Sequence, residues 1–208
     1  MAWGGKGVAL YNLSRYDQAL EAFDEAIAIN PGYAKAWYGK GLALYGLGRY
    51  EESLAAYDTA LRIYPEYGYL VYYGKAQDYA AMGDYAQAIP LFDTALTLQP
   101  QYPGVWVEKG DAMAASGDYQ GAIAAYDKAL SLEPGFVKAE MGKAAAEANL
   151  AGAVTTTTAP VMTTVPPAPA EVTTLPTAAP VTTRTRAPFP LWAAGAGLLA
   201  ALILLRRR

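Results

Sequence analysis

The sequence predicts an all-α protein, a solenoid of stacked helix hairpins followed by a disordered linker and one transmembrane helix. Three observations carry this prediction. A 34-residue period runs through the first two-thirds of the 208 residues. Within each copy the apolar residues fall at helical spacing in two runs. After Gly152 the composition changes abruptly to threonine and proline, and the chain ends in an uncharged apolar stretch.

The period is visible in five columns of residues, with one extra residue near Gly68. The columns are an opening aromatic residue (Trp3, Trp37, Tyr72, Trp106), a tyrosine (Tyr16, Tyr50, Tyr85, Tyr119), a second aromatic residue (Phe23, Tyr57, Phe92, Tyr126), an alanine (Ala26, Ala60, Ala95, Ala129) and a closing proline (Pro31, Pro65, Pro100, Pro134). A unit of this length buries its apolar face only against its neighbours, so the copies are expected to stack.

Each copy is predicted to form two antiparallel helices. In the second copy the two apolar runs cover 37–47 and 50–63. A glycine, which adopts the left-handed conformation without steric cost, stands after the first run in three copies: Gly48, Gly83 and Gly117. Pro90 lies inside a second run, where it removes the hydrogen bond to the carbonyl of Ala86 and is predicted to kink the helix.

These columns resemble those of the tetratricopeptide repeat family, and nearly every signature position is filled. The resemblance implies a right-handed α-solenoid. It divides the chain into four repeats and a capping helix: repeat 1 (2–33), repeat 2 (34–67), repeat 3 (68–102), repeat 4 (103–136) and the cap (137–152).

The remaining residues are predicted to tether this array to a membrane. Residues 153–188 are predicted to form a Thr/Pro-rich disordered stalk, either O-glycosylated or unmodified. Residues 189–205 are predicted to form a transmembrane helix, and 206–208 a basic tail. The combination resembles the carboxyl-terminal anchors of archaeal and bacterial surface proteins, so a lipid bilayer is an expected partner.

The side of the membrane is inferred from charge. Arginines directly after the span favour a cytoplasmic tail, which places the array outside the cell in a single-pass protein. Met1 precedes the first repeat tryptophan by only two residues, without a signal peptide between them. Two explanations stay open: a start that lies further upstream, which we favour, or tail anchoring with the array in the cytoplasm.

Composition excludes several classes of function. The sequence has no cysteine and no histidine, and it shows no paired nucleophile and base, no metal-ligand cluster and no phosphate-binding loop. We therefore expect no catalytic residue, no metal, no cofactor and no small-molecule substrate. Residues 1–150 carry 11 basic and 18 acidic side chains, so nucleic acid is not an expected partner either.

In the family, partners bind a concave groove lined by the first helix of each repeat. Transferring the groove positions to this sequence gives seven candidate residues, with Leu70 beside them: Val8, Tyr11, Tyr38, Leu42, Tyr45, Tyr73 and Gln77. Tyrosine presents apolar area and a polar tip at low entropic cost, which suits an extended peptide or a partner helix. The competing interpretation is that these tyrosines only pack.

The expected partner is a neutral or basic protein or peptide rather than an acidic one. Family members that bind acidic carboxyl-terminal peptides use basic and amide side chains at positions that are here occupied by glycine, valine or leucine: Gly4, Val8, Gly39, Leu70 and Gly74. Glu108 and Asp111, near the far end of the groove, would also repel a carboxylate.

Two charged columns follow the same period. One contains lysines (Lys6, Lys40, Lys75, Lys109, Lys143) and the other aspartates (Asp24, Asp58, Asp93, Asp127). The matched supply of opposite charge predicts structural pairing rather than a basic surface for an anionic ligand. The sequence as a whole favours a membrane-anchored interaction scaffold that is not an enzyme. The alternative is a structural spacer of the cell envelope with no specific groove ligand.

Overall fold

The computed structural model describes residues 2–157, which form nine α-helices, one short 3-10 turn at Pro65–Tyr67 and no strand. The helices are α1 (Ala2–Asn12), α2 (Tyr16–Ile29), α3 (Ala34–Gly46), α4 (Tyr50–Ile63), α5 (Gly68–Ala81), α6 (Tyr85–Leu98), α7 (Pro103–Ala115), α8 (Tyr119–Leu132) and α9 (Val137–Thr157). The predicted all-α array of helix hairpins is confirmed for this part of the chain.

Sequential helices pack against each other throughout the array, so each hairpin also contacts the next one. The first helices of neighbouring repeats approach each other as well, at α1–α3, α3–α5 and α7–α9. The second helices α2, α4, α6 and α8 show no comparable approach to one another within the described residues. The first helices therefore line the inner face of the array, and the second helices lie outside.

The turns inside the hairpins are encoded locally. The three predicted capping glycines all have positive φ angles: Gly48 at 73°, Gly83 at 79° and Gly117 at 89°. After Gly48 the chain closes the helix end, because the Arg49 amide donates to the Leu44 carbonyl at 2.9 Å. In repeat 1 Ser14 takes the left-handed conformation at φ 56° instead of a glycine. No pattern in the sequence predicted this exception.

The core between repeats is built from one buried ring per repeat, in the second aromatic column. Three of these rings, Phe23, Tyr57 and Tyr126, pack against glycines of the first helices on both sides. At Gly74 a Cβ would lie 2.6 Å from Tyr57 Cζ, and at Gly142 it would lie 2.6 Å from Tyr126 Cζ. At these two positions a glycine lets the next repeat cover the ring closely, because a larger side chain on the same backbone would collide with it.

The lysine and aspartate columns form an ion-pair ladder that confirms the predicted pairing. From repeat 2 onwards, the lysine of the column binds the aspartate of the preceding second helix: Lys40–Asp24 at 2.7 Å, Lys75–Asp58 at 2.6 Å, Lys109–Asp93 at 2.6 Å and Lys143–Asp127 at 2.6 Å. Lys6 lies over the ring of Trp3, with its Nζ 4.7 Å from the ring centre.

The carboxyl-terminal part of the chain was predicted to hold a cap, a stalk and a membrane span. Helix α9 continues to Thr157, past residue 152 where the cap was predicted to end. The remainder of the predicted stalk, the predicted transmembrane helix and the basic tail lie outside the described residues. No helix within residues 2–157 has the length and apolar character needed to span a bilayer. Helix α6 runs through Pro90 without interruption, and the predicted kink stays a prediction.

Candidate functional site

The predicted groove residues lie on the first helices α1, α3 and α5, which form the inner face. Val8 is exposed, with 38% of its surface accessible, and the other six candidates are half-buried. Tyrosines of successive repeats are close enough to act on each other electrostatically. Tyr11 raises the pKa of Tyr38, and Tyr45 raises the pKa of Tyr73. The first three repeats thus present a row of partly exposed tyrosines.

One side of this row packs against the core. The Tyr38 ring lies 5.7 Å from the Tyr57 ring and 5.8 Å from the Tyr67 ring, measured between centroids. Burial, with smaller contributions from neighbouring phenols, raises the pKa of Tyr38 to about 12. Tyr45 is tied to its own hairpin, with its ring 5.8 Å from that of Tyr50. Tyr38 and Tyr45 therefore each use part of the ring for packing inside the array, and Tyr38 does so the most.

A polar network joins repeats 3 and 4 on the inner face. The Tyr73 hydroxyl donates to Glu108 Oε1 at 2.8 Å, and Gln77 Nε2 donates to Glu108 Oε2 at 3.0 Å. Gln77 Nε2 also lies 3.0 Å from the Tyr73 hydroxyl oxygen and donates to it. Burial and the Glu108 carboxylate together raise the pKa of Tyr73 well above its usual value. The network fixes both predicted polar tips, Tyr73 and Gln77, around one carboxylate.

Glu108 breaks the glycine column that covers the buried rings. Gly39, Gly74 and Gly142 occupy the corresponding positions over Phe23, Tyr57 and Tyr126. A glutamate over the Phe92 ring requires more room than a glycine. Accordingly, the backbones of α5 and α7 approach each other less closely than those of the other neighbouring first helices. The junction between repeats 3 and 4 is thereby opened on its inner side.

A cavity of about 330 Å³ occupies this opening. Its lining consists of nine residues from repeats 2, 3 and 4: Tyr45, Gln77, Ala80, Tyr85, Phe92, Glu108, Asp111, Ala112 and Ala115. Two of the predicted groove residues, Tyr45 and Gln77, meet here. Val8, Tyr11, Tyr38 and Leu42 lie elsewhere on the inner face, and Tyr73 reaches the cavity through its bond to Glu108. The groove positions alone did not reveal Tyr85 or Phe92 as lining residues.

The cavity is acidic. Glu108 accepts hydrogen bonds from neutral groups, and none of the ion pairs among the described residues involves it. Asp111 accepts a hydrogen bond from the Tyr126 hydroxyl at 2.7 Å and pairs with Lys138 at 3.1 Å. Glu108 therefore contributes a half-buried negative charge that no ion pair balances in the part of the chain that the structure describes.

A larger cavity of about 510 Å³ lies beside Trp3 and Lys6 in repeat 1. Its counterpart in repeat 2, about 240 Å³, is lined by the equivalent Trp37 and Lys40. Since the same furrow recurs with the period, it follows from the stacking of hairpins. The junction cavity is instead lined by Glu108, which interrupts the period, so we regard that cavity as the candidate site.

Comparison with known structures places the array among solved repeat proteins. A crystal structure of MamA is 19% identical and superposes with a TM-score of 0.63, covering 70% of this chain and 84% of that one. YrrB, described as a TPR protein with an unusual peptide-binding site, is 20% identical with a TM-score of 0.60 over 73% of this chain and 77% of its own. TTC0263, a TPR protein of Thermus thermophilus, is 22% identical with a TM-score of 0.61, covering 71% and 80%.

At these identities the likeness concerns the fold. A comparison with curated protein sequences finds no match. The sequence profile of the tetratricopeptide repeat family matches residues 5–67 and 73–135, which together make up more than half of the 208 residues. The chain therefore belongs to the tetratricopeptide repeat family.

Proposed function

We propose that this protein is a membrane-anchored scaffold that binds a peptide or a partner protein along the inner face of its array. The observation that carries the proposal is the acidic junction cavity, which continues the row of half-buried tyrosines. Apolar rings with polar tips and a convergent charged group are typical of a binding pocket for a protein side chain. YrrB, whose description names a peptide-binding site, supports this proposal by analogy.

The chemistry of the cavity favours a partner that is neutral or basic. A lysine or arginine side chain would place its apolar stem against Tyr45, Tyr85 and Phe92 and its charged end at Glu108. The gain comes from a charge-assisted hydrogen bond to a carboxylate that has no ion-pair partner among the described residues. An acidic side chain would meet Glu108 and Asp111 and be repelled.

Anchoring belongs to the same proposal and is supported by the sequence. Residues 189–205 would cross the membrane, and residues 153–188 would hold the array at a distance from it. We propose the arrangement of an archaeal or bacterial surface protein, with the array outside the cell. Tail anchoring with a cytoplasmic array is the alternative. Protease treatment of intact cells distinguishes them, since only an external array is digested.

The binding proposal is tested with three matched peptide pools that differ only in carrying lysine, glutamine or glutamate. Fluorescence anisotropy with the full chain should give the tightest binding for the lysine pool. Glu108→Gln keeps the acceptor oxygen but removes the charge, so we expect about a tenfold loss of affinity for lysine peptides. Tyr45→Ala should weaken binding by about 2 kcal/mol if this ring is a hot spot.

Glu52→Gln is the matched control, because Glu52 is an exposed glutamate bound to Arg49 and does not line the cavity. It should leave peptide affinity unchanged. Equal binding of the lysine and glutamate pools would contradict the charge preference. If no pool binds and immobilised protein retains nothing from membrane extract, the chain acts as an envelope spacer whose tyrosines serve only packing.

A further inference from the structure

The interface between repeats 2 and 3 contains a buried polar pair. Asp78 of α5 and Ser53 of α4 are both 0% exposed, and they are the two buried polar residues of the described core. In the neighbouring interfaces the equivalent positions are alanines that share one apolar cluster: Ala43 with Ala19, and Ala112 with Ala88. Asp78 and Ser53 therefore replace an alanine pair at one junction of the array.

The hydrogen bonds at this site leave the carboxyl group without a donor. The Ser53 hydroxyl donates its single hydrogen to the Gly41 carbonyl at 2.9 Å. Neither carboxyl oxygen of Asp78 has a hydrogen-bond partner among the described residues. While Ser53 is bonded to Gly41, its hydroxyl has no hydrogen left to donate to an ionised Asp78. An ionised carboxylate at this position would be buried and unpaired, which is strongly unfavourable.

The surrounding charges do not compensate for this burial. Glu51 and Tyr57 act on Asp78 from α4, and Tyr45 is coupled to it from α3. Lys75, on its own helix, is held 2.6 Å from Asp58. The titratable side chains of α6 are Tyr85 and Asp93, and Asp93 is bound to Lys109.

Burial raises the pKa of Asp78 to about 7. The Ser53 hydroxyl and, more weakly, the Lys75 ammonium oppose this rise, whereas Glu51 adds to it. The opposing effect of Ser53 requires its hydrogen, which is engaged at Gly41 in this structure. The direction of the shift therefore agrees with the geometry, in which the neutral acid is the form that fits.

We propose that Asp78 is a built-in proton switch: it is protonated when repeats 2 and 3 are closed on each other, and its ionisation loosens this interface. The interface separates Tyr38 and Tyr45 of the inner face from Tyr73 and Gln77. Loosening this interface would change the distance between these two groups of inner-face residues. The inference concerns the folding of the array and does not depend on whether the inner face binds a partner.

The sign of the pH dependence follows from the two protonation states. In the unfolded chain Asp78 ionises near its ordinary pKa of 3.8, whereas in the folded array it holds its proton up to about pH 7. The contribution of Asp78 to the free energy of unfolding is therefore fully present below about pH 4, falls as the pH rises towards 7 and levels off above it. Between about pH 5 and pH 7 the unfolding equilibrium constant should rise about 50-fold.

The test is urea denaturation of the full chain at several pH values, with three variants. Asp78→Asn and Asp78→Ala should remove the fall in stability over this range. The double variant Ser53→Ala with Asp78→Ala recreates the alanine pair of the neighbouring junctions and should be independent of pH as well. Asp17→Asn is the control, since Asp17 is an exposed aspartate in the first turn of α2, in repeat 1, and it should keep the wild-type pH dependence.

A direct titration keeps the proposal falsifiable if a variant fails to fold. The side-chain carboxyl carbon of Asp78, followed by NMR in the wild-type chain, should titrate near neutral pH. A midpoint close to that of an ordinary aspartate would overturn the proposal. So would a wild-type stability that does not change between about pH 5 and pH 7, or one whose decline persists unaltered in Asp78→Asn.

Discussion

The ion-pair ladder repeats at every junction of the array, whereas the inner face does not. Four lysine–aspartate pairs recur with almost the same distance at every junction. Along the inner face one junction differs from the others: a glycine covers the ring at Gly39, Gly74 and Gly142, and Glu108 replaces it between repeats 3 and 4. Features that repeat maintain the stacking. Features that interrupt the repeat create the cavity, and they are where a specific function can be sought.

The largest effect on stability is expected from a buried ring of the second aromatic column, compared with a half-exposed tyrosine of the inner face. Tyr57→Ala removes a ring that is almost fully buried between Gly41 and Gly74, so we expect a loss of about 3–5 kcal/mol in the free energy of unfolding. Tyr45→Ala, on the half-exposed inner face, should cost much less. Urea denaturation of both variants measures the difference. Equal losses would mean that the inner tyrosines are core residues.

The glycine column gives the next prediction. Gly74→Ala brings a Cβ against the Tyr57 ring, and overpacking of this kind should destabilise the array by about 1–3 kcal/mol despite the better helix propensity of alanine. Glu108→Ala, at the equivalent position of the opened junction, introduces no such collision and should be tolerated better. Thermal and urea unfolding of the two variants provide the comparison. The opposite order would contradict the steric role assigned to the column.

Alkaline pH should act on the buried phenols. Burial is the main cause that raises the pKa of Tyr57, so its neutral form stabilises the fold fully below the ordinary pKa of 10, and this stability is lost as the pH rises above it. Tyr57→Phe should withstand alkaline unfolding better, because phenylalanine already occupies this column at Phe23 and Phe92. Circular dichroism during base titration tests this, with Tyr64→Phe as an exposed control.

The smallest effect is expected from single members of the ladder. Lys75→Met breaks the pair with Asp58 but retains the apolar stem, and the aspartate side of the pair is well exposed to solvent. The free energy of unfolding should change by only about 0–1 kcal/mol, and less at high salt. Lys40→Met should behave in the same way. A larger loss at one rung would show that the ladder is not uniform.

The regular parts of the array were predictable because they follow from the period. The hairpins, the left-handed Gly48, Gly83 and Gly117, and the pairing of lysine with aspartate all belong to columns that recur. Ser14 was not predictable in this way, since a serine in the left-handed conformation is held there by its neighbours rather than by its own preference.

The candidate site was only partly predictable. Tyr45 and Gln77 came from transferred groove positions, but the cavity depends on how α5 and α7 are separated, which is a property of two repeats together. The partnership of Ser53 with Asp78 has the same origin, because these residues belong to different repeats and different columns. The one available signal was Glu108 in a column of glycines, which becomes meaningful only once the ring beneath it is known.

The geometry of the ladder bears on how such an array can change its length. Every rung joins the second helix of one hairpin to the first helix of the next, so a tandem copy of 34–67 would bring one new ladder lysine, the copy of Lys40, and one new ladder aspartate, the copy of Asp58. Each of the two new side chains would have an oppositely charged partner on the neighbouring hairpin, so every ion pair of the ladder would be complete. Whole repeats can therefore be added or deleted at almost no electrostatic cost. An insertion of only part of a repeat would leave ladder lysines and aspartates without partners at both of its ends.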